Sequence, residues 1–429
     1  MTTVESQLPP RPKMNGVNAL GPAATRVPLA IAQFVAFAAV ARAVGELAFG
    51  LVVFTQTAAR LAAALCMRGG GPLMLQRFAR EPIDVARKAL RSEVRSSSIA
   101  IPVFVVVLVV LESLIFKLSI PQIGLLTGLV LVFLAAAIAT RLGSESVKGL
   151  GRPTRAQLWE FLPGPIGLLS IAWFLRSPSA WSGLAVLAVL VGAQLVSAIG
   201  LLFIEAKAHR VTRAANEDLA KPAKAGNSRL HLSVSTVVTL ALPLAALGAA
   251  AAVGDGEAVG RLSACLRLLA PATIVISGIA AALLPRIARD EGPKPLRVSW
   301  VLVAGLSIPY SLVLLAFPQI AEVIFGPEFS GLENVVRVLA IAQLLNGATG
   351  IGVEVLQITG RVRAESRVVI TAAFAATIAV VIAWSAGGVD APLLGALFFA
   401  AVLGSRSLAA GGLVYLPLAI GSAGRERKL

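Results

Sequence analysis

Cysteine and histidine are nearly absent from this chain, which has two of each among its 429 residues. Cys66 and Cys265 fall inside or beside apolar stretches, where a small thiol packs readily, so they predict neither a disulfide framework nor a redox motif. His209 and His231 are too few for a zinc cluster or a histidine-based triad. The phosphate-binding motif GxxxxGKS or GxxxxGKT is also missing, which argues against ATP hydrolysis by this chain. The sequence therefore predicts no metal and no cofactor.

Charged residues are scarce as well, at 14% of the chain, whereas hydrophobic residues make up 57%. A soluble domain cannot bury so much apolar surface, so lipid is the predicted solvent. A helix needs about 20 mainly apolar residues to cross roughly 30 Å of hydrocarbon. Twelve spans of about this kind are predicted, at 27–44, 47–66, 98–116, 120–140, 158–175, 181–204, 230–253, 261–284, 298–317, 335–358, 368–386 and 391–416.

Basic residues outnumber acidic ones, with 38 Lys and Arg against 22 Asp and Glu. This excess could indicate nucleic-acid binding, but most basic residues lie in alternate connections between spans. The other connections carry mainly acidic residues, such as Glu46, Asp255 and Glu328. This positive-inside pattern predicts a multi-pass protein of the inner (plasma) membrane with both termini in the cytoplasm. Its basic side would face anionic membrane lipid, and nucleic acid is not an expected partner.

Two short segments of the sequence are similar to each other, "LMLQRFARE" at 73–81 and "ALLPRIARDEG" at 282–292. When Arg77 is aligned with Arg286, "AFG" at 48–50 also stands against "AVG" at 258–260 at nearly the same offset. The matched spacing favours an internal duplication over the alternative, a chance likeness between two basic loops. The duplication predicts two halves in the same orientation, related by a pseudo-twofold axis along the membrane normal.

The predicted fold is therefore an all-α polytopic membrane protein, with about 12 transmembrane helices in two six-helix bundles. Substrate is expected to bind between the bundles. The predicted organisation is a disordered cytoplasmic tail at 1–26, an N-terminal bundle at 27–204, a cytoplasmic linker at 205–229, a C-terminal bundle at 230–418 and a basic cytoplasmic tail at 419–429.

Two stretches carry a resemblance to a known family. The stretch 40–71 has an Arg-x-x-Gly motif, a Phe-Gly pair and a later glycine, at Arg42, Gly45, Phe49, Gly50 and Gly69. The stretch 323–368 has Phe-Gly, an aromatic residue and a Gly-Arg loop, at Phe325, Gly326, Phe329, Gly360 and Arg361. These patterns resemble polysaccharide flippases of the multidrug/oligosaccharidyl-lipid/polysaccharide (MOP) exporter superfamily.

The resemblance implies a transporter rather than an enzyme. Such a flippase moves a lipid-linked oligosaccharide, a precursor for polysaccharide biosynthesis in the cell envelope, from the inner to the outer leaflet. Its implied partners are a polyprenyl-pyrophosphate-linked glycan, membrane lipid and the enzymes of polysaccharide assembly.

Three arginines lie well inside predicted spans, where an ionised side chain is costly unless it faces water or a partner. They are Arg60, Arg267 and Arg406. Gln56 lies one turn before Arg60 on the same helical face, and Asn346 on a later span could contact sugar hydroxyls. Guanidinium groups bind phosphate oxygens bidentately, so these five residues are the predicted substrate site.

Each of these residues also has a structural interpretation. The arginines could snorkel toward an interface or pair with Glu112 or Glu354, and Asn346 could form an interhelical hydrogen bond. Arg42, at a helix end, favours interfacial anchoring. The segment from Phe325 to Phe329 favours an interfacial turn, with a gate as the alternative.

Two other functions compete with flipping. A cation-coupled multidrug exporter of the same superfamily needs a membrane-embedded carboxylate, but all five aspartates fall in connections between spans. A membrane glycosyltransferase or polysaccharide polymerase needs an acidic site or a large outer loop, and the sequence favours neither. Lipid-linked oligosaccharide flipping by alternating access through a central cationic cavity is therefore the predicted function.

Overall fold

The computed structural model describes residues 16–67, 70, 74, 77–78, 83–150, 152–175, 179–212, 228–288, 294–352, 355–356, 362–385 and 389–426, and these residues contain no strand. Fifteen α-helices lie in these ranges: α1 Gly16–Met67, α2 Ile83–Ser98, α3 Ile101–Phe116, α4 Ile120–Gly149, α5 Pro153–Phe161, α6 Pro163–Phe174, α7 Ala180–Thr212, α8 Ser228–Val253, α9 Gly256–Leu268, α10 Ala270–Ala288, α11 Lys294–Ala316, α12 Ile320–Phe325, α13 Glu333–Ala348, α14 Val362–Ser385 and α15 Ala391–Glu426. A 3-10 turn at Pro327–Phe329 follows α12.

The longest element, α1, contains the first two predicted spans. Gly45 divides it, with φ of 75° and ψ of 174°, values far from those of a helix. An L-residue with a Cβ rarely adopts this positive φ, so glycine permits a sharp kink here. The boundary between the spans 27–44 and 47–66 therefore falls where the sequence predicts it.

The predicted spans fall on helices throughout the chain, which confirms the all-α polytopic fold with about 12 helices. Five helices are individually long and apolar enough to cross a membrane. Two bent pairs, α2 with α3 at 42° and α9 with α10 at 43°, raise this number to seven. Within the described residues, the other predicted spans fall on shorter helical segments.

Helical structure extends further than the predicted boundaries at three places. The first helix begins at Gly16, inside the tail 1–26 that the sequence predicts to be disordered. Helices α7 and α8 extend into the predicted linker 205–229 from its two sides, as far as Thr212 and back to Ser228. The remaining residues 213–227 lie outside the described residues. Helix α15 continues into the predicted tail as far as Glu426. Only part of each of the two similar segments, 73–81 and 282–292, lies within the described residues.

The outer surface of the helices is strongly apolar. Large hydrophobic side chains on α3, α6, α7, α11 and α14 are exposed; Phe374 on α14, for example, is 69% exposed and Phe174 on α6 is 78% exposed. Soluble monomers rarely expose contiguous apolar surface on this scale, and lipid is its natural partner. The apolar helices and this surface together indicate a multi-pass membrane protein.

Helices of the same half pack mainly against one another, as in α4 with α7 and α13 with α15, and α1 crosses to contact α8, α9 and α10 of the second half. At the crossing of α1 and α9 the backbones touch. A Cβ built on Gly50 would lie 2.7 Å from the amide nitrogen of Gly260. These two glycines end the "AFG" and "AVG" sequences that the predicted duplication aligns.

Candidate functional site

Arg267 of the second half reaches Gln56 of the first half. Its Nη2 donates a hydrogen bond of 2.5 Å to Gln56 Oε1, and its guanidinium lies 3.8 Å from the centre of the Phe37 ring. Arg267 occupies the last turn of α9, where the free carbonyl groups of a helix end favour a cation. The bend between α9 and α10 follows directly, and it aims this last turn at α1.

Arg60 lies one turn beyond Gln56 on α1 and is exposed, although it sits in the middle of a predicted span. It lines a cavity of about 30 Å³ together with Gln33, Phe37, Gln56 and Glu160. A cavity of this volume holds roughly two water molecules. Arg60 therefore borders an interior space that it shares with three other polar residues.

The walls of this cavity come from helices of the N-terminal half, namely α1, α4, α5, α6 and α7. The second half reaches its edge through Arg267, whose two contacts, Gln56 and Phe37, are both lining residues. The kink in α1 brings residues of both its spans to the cavity, Gln33 and Phe37 from the first and Gln56 and Arg60 from the second. A substrate site between the halves stays a prediction.

Glu160 is the acidic residue in the cavity wall, but other groups compensate its charge. It accepts a hydrogen bond of 2.6 Å from Ser144, and its carboxylate lies 3.4 Å from Lys148 Nζ and 3.9 Å from Arg141 Nη1. Glu160 attracts Arg60 only over a longer distance. Arg60 in the cavity wall and Arg267 at its edge therefore place two guanidinium groups in this region.

The structure brings together three of the five predicted site residues, namely Arg60, Arg267 and Gln56. Asn346 on α13 instead accepts a hydrogen bond of 3.0 Å from Ser407 Oγ on α15, which is the interhelical bond that the sequence offers as its alternative role. Arg406, next to Ser407, is only 7% exposed and is not among the lining residues of the cavity.

The predicted pairing of a buried arginine with a buried acid is not what the described residues show for Arg267, because Gln56 and Phe37 hold its guanidinium. Glu112 lies elsewhere, on α3, and Glu354 lies outside the described residues. Sequence reasoning did not identify Phe37 or Glu160 as cavity residues. Glu160 had a usable signal, since it is an acid placed at the start of the predicted span 158–175.

A second set of contacts joins the halves near the kink, a region that we call the Gly45 end of the interface. Arg42 of α1 donates hydrogen bonds to the carbonyl oxygens of Ile324, at 2.7 Å, and Val323, in the last turn of α12. The interfacial anchoring that the sequence favours for Arg42 stays a prediction. Its guanidinium binds the free carbonyl groups at a helix C-terminus.

Aromatic side chains fill the Gly45 end. Phe49 of α1 contacts Phe325 and Phe329, with ring centres 6.2 and 6.1 Å apart, and Phe325 and Phe329 are each 1% exposed. Beside them, Arg261 Nε lies 3.6 Å from Glu46 Oε2. Phe325 and Phe329 therefore form a buried contact between the halves, while Pro327 and Glu328 of the turn between them are exposed. The interfacial position of this turn stays a prediction.

The opposite part of the interface, which we call the Arg26 end, also holds a bond between the halves. Arg26 Nη1 donates a hydrogen bond of 2.8 Å to the carbonyl oxygen of Ser277 on α10. The halves are thus in contact at both ends of the interface in this conformation.

Three solved structures share this fold over nearly the whole chain. A multidrug resistance MATE family transporter of the MOP superfamily, in an inward-facing conformation, aligns with a TM-score of 0.56 and 13% identity over 94% of this chain and 99% of that one. A MATE protein in complex with MaD5 aligns at 0.57 and 16% identity over 96% and 99% of the two chains.

The third is a MOP superfamily transporter from Pyrococcus furiosus, whose description states that the reverse polarity of its binding pocket suggests a different function. It aligns with a TM-score of 0.54 and 15% identity over 93% of this chain and 96% of that one. Neither a protein-family model nor a curated protein matches the chain. These structural likenesses show that the chain has the fold of MATE-like transporters, and the flippase subtype within the superfamily stays a prediction.

Proposed function

We propose that this chain is a membrane transporter that flips a lipid-linked oligosaccharide by alternating access. The observation that carries the proposal is the position of Arg267, which contacts Gln56 one turn from Arg60. Two guanidinium groups from opposite halves therefore meet at the depth of the membrane spans. Cations at that depth are costly, so their retention indicates a functional site.

An anionic headgroup suits this site better than a neutral one. Guanidinium groups stay protonated and present paired donors that match phosphate oxygens, so a polyprenyl pyrophosphate is the headgroup that we assign to it. Gln56 satisfies Arg267 when the site is empty and would be displaced by a phosphate oxygen. The polyprenyl chain would remain in lipid while the headgroup crosses.

The cavity of about 30 Å³ is far too small for such a headgroup, so the halves must move apart to admit it. Contacts at the two ends of the interface supply the alternating barriers. We assign the Gly45 end to the outer side and the Arg26 end to the cytoplasmic side of an inner membrane, because basic residues concentrate in the connections on the Arg26 side. Both termini are then cytoplasmic.

A cation-coupled multidrug exporter is the second candidate, and one observation favours it. Glu112 on α3 is a fully buried carboxyl group within a span, which is the kind of residue that such exporters need. One of the proteins that share the fold is described as a multidrug resistance transporter. The two candidates differ in the charge of their substrate, which the experiment below compares directly.

The test uses the purified chain in lipid vesicles and measures flipping of a fluorescent polyprenyl-pyrophosphate-linked oligosaccharide. The double variant Arg60→Gln with Arg267→Gln is expected to abolish flipping while the protein stays folded in the membrane. The control variant Arg91→Gln with Arg95→Gln removes the same charge from exposed positions on α2 and should flip normally. Normal flipping in the first double variant would overturn the site, and export of a cationic dye in place of flipping would favour the second candidate.

A further inference from the structure

A second cavity lies at the Gly45 end, and the proposed flipping site does not use it. Its volume is about 480 Å³, and it is lined by Arg42 of the first half and by residues of the segment 322–328 of the second half. Arg42, Glu322 and Glu328 are all exposed, so the cavity opens to the surface. Its volume falls in the range of roughly 300–1,000 Å³ that is usual for small-molecule sites.

The cavity contains charged groups of both signs that do not pair with each other. Arg42 uses Nε and Nη2 to bind the carbonyl oxygens of Ile324 and Val323, and its Nη1 makes no hydrogen bond to a described residue. Within the described part of the chain, neither Glu322 nor Glu328 forms a hydrogen bond or an ion pair through its carboxylate. One guanidinium nitrogen and two carboxylates are therefore available to a ligand.

Gly326 keeps the cavity wall beside Arg42 free of a side chain. Its φ is 110°, a value that a residue with a Cβ rarely adopts. A Cβ built there would lie 3.6 Å from Arg42 Cγ, the only described neighbour within 4 Å. The space beside the Arg42 side chain is thus open, and the apolar residues Val323 and Pro327 border the same cavity.

We infer that this cavity binds neutral sugar residues of a glycan on the outer side of the membrane. A sugar hydroxyl donates a hydrogen bond to a carboxylate and accepts one from a guanidinium, so a neutral ring matches groups of both signs. An acidic sugar or a phosphate group would meet two carboxylates for one guanidinium. A metal ion has too few ligands here, because the described residues contain no group of three or more acidic, histidine or cysteine side chains.

The cavity requires contact between the halves at the Gly45 end. Arg42 comes from α1, whereas the other lining residues belong to the second half. A sugar that binds both sides therefore stabilises the contact, and the contact in turn creates the site. This role rests on the proposed function, which assigns the Gly45 end to the outer side. Glycan that has crossed the membrane would favour closure of the outer barrier and so reset the empty transporter.

The first experiment measures binding by saturation-transfer NMR on the full chain in lipid nanodiscs. The probes are two neutral trisaccharides, chitotriose and maltotriose, the acidic trisaccharide trigalacturonate, and phosphoethanolamine. The neutral sugars should bind with a dissociation constant of roughly 1 mM, because contacts at an exposed site contribute little each. Trigalacturonate should bind about fivefold more weakly, since its carboxylates meet those of the cavity.

The variants test whether the two carboxylates select the sugar. Glu322→Gln with Glu328→Gln should weaken binding of the neutral sugars severalfold, because a neutral amide is a weaker acceptor than a carboxylate. The same double variant should lose the discrimination against trigalacturonate. Glu257→Gln with Asp390→Asn is the matched control, which removes the same charge from exposed positions outside the cavity and should bind as the unchanged chain does.

The second experiment tests whether the sugar joins the halves. Spin labels at Lys117→Cys and Glu257→Cys, both exposed at the Gly45 end, report the distance between the halves in lipid after Cys66 and Cys265 are replaced by alanine. Added chitotriose should shift the distance distribution to shorter values. The shift should vanish when Glu322→Gln and Glu328→Gln are introduced into the labelled chain.

The inference is overturned if neither neutral trisaccharide binds, if trigalacturonate binds as well as they do, or if the two double variants behave alike. A distance distribution that does not respond to bound chitotriose would refute the link between the halves. Binding of phosphoethanolamine in place of the sugars would assign the cavity to a zwitterionic lipid headgroup and would also overturn it.

Neither measurement uses a lipid-linked substrate, so the two proposals fail separately. A chain that binds sugar in this cavity but does not flip lipid-linked oligosaccharide would lose the proposed function and keep the sugar site. A chain that flips the substrate but binds neither trisaccharide would lose the sugar site and keep the proposed function.

Discussion

Gly260 on α9 lies so close to α1 that a Cβ built on it would be 1.8 Å from the carbonyl oxygen of Glu46. The facing residue, Gly50, has the same constraint from the other side, because a Cβ added there would have backbone atoms of Gly256 and Gly260 within 3 Å. The crossing of α1 and α9 therefore leaves no room for a side chain at either glycine. Any motion of the halves must pivot on it or break it.

The first prediction follows from this contact. Gly260→Ala should force the halves apart and lower the free energy of unfolding by about 1–3 kcal/mol, the usual cost of overpacking, measured by thermal unfolding in detergent. Gly248→Ala on α8 is the matched control, since nothing lies within 4 Å of its Cβ position. That control should be neutral or stabilising by about 1 kcal/mol, because alanine favours a helix over glycine. Equal stability of both variants would refute the close crossing.

The second prediction concerns the hydrogen bond from Arg267 to Gln56. Gln56→Glu replaces a neutral acceptor by a carboxylate that would hold Arg267 as an ion pair and repel an anionic headgroup. Flipping should fall about tenfold or more, since about 1.4 kcal/mol of lost binding has that effect. A membrane-protein yield equal to that of the unchanged chain shows that folding is intact.

The control for this variant is Gln319→Glu, which adds the same charge at an exposed position. It should flip at the normal rate. If Gln56→Glu transported as well as this control, Arg267 would have no part in binding the headgroup.

The sequence predicts the part of this site that lies on one helix. Gln56 and Arg60 share a face because their spacing is one helical turn, and this relation needs no knowledge of tertiary packing. The depth of Arg60 and Arg267 in the membrane follows equally from the apolar residues around them. The twelve-span plan has the same origin, since each span is a local property of about 20 residues.

The contacts between distant helices could not be predicted in this way. The hydrogen bonds of Arg42 are an example. Its acceptors, the carbonyl groups of Val323 and Ile324, come within reach only when α12 packs against α1, so the sequence around Arg42 does not reveal them. The placement of the cavity also depends on the φ of Gly45, which a sequence pattern does not reveal. Residues of α1 on both sides of the Gly45 kink line this cavity, Gln33 and Phe37 before it and Gln56 and Arg60 after it.

The third prediction tests whether the hydrogen bonds of Arg42 hold the two halves together at the Gly45 end. Arg42→Gln removes charge-assisted hydrogen bonds to the end of α12, so the Gly45 end should open more readily. Because Arg42 is exposed, its net contribution should stay near 1 kcal/mol or less, which is a severalfold change in the open population. The measurement is the distance between labels at Lys117→Cys and Glu257→Cys in lipid.

Arg337→Gln is the control for Arg42→Gln. Arg337 is also exposed and bonds Asn334 of its own helix, α13, so its loss should leave the distance distribution unchanged. An identical distribution for Arg42→Gln and Arg337→Gln would show that the contact of Arg42 does not hold the halves together.

The fourth prediction separates a buried gate from an interfacial turn at Phe329. This side chain is 1% exposed and touches Phe49 of the other half as well as Phe325. Phe329→Ala should lower the free energy of unfolding by about 3–5 kcal/mol, because it leaves a cavity in a packed aromatic cluster. Phe317→Ala, at a position that is 64% exposed, should change thermal stability little.

Since Phe329 joins the halves, its truncation should also increase the labelling of Cys265, which is buried on α9, by a thiol reagent added in detergent. A large loss of stability without faster labelling would mean that the cluster supports only the C-terminal half, and then the Gly45 end would owe its closure to Arg42 and Glu46 alone.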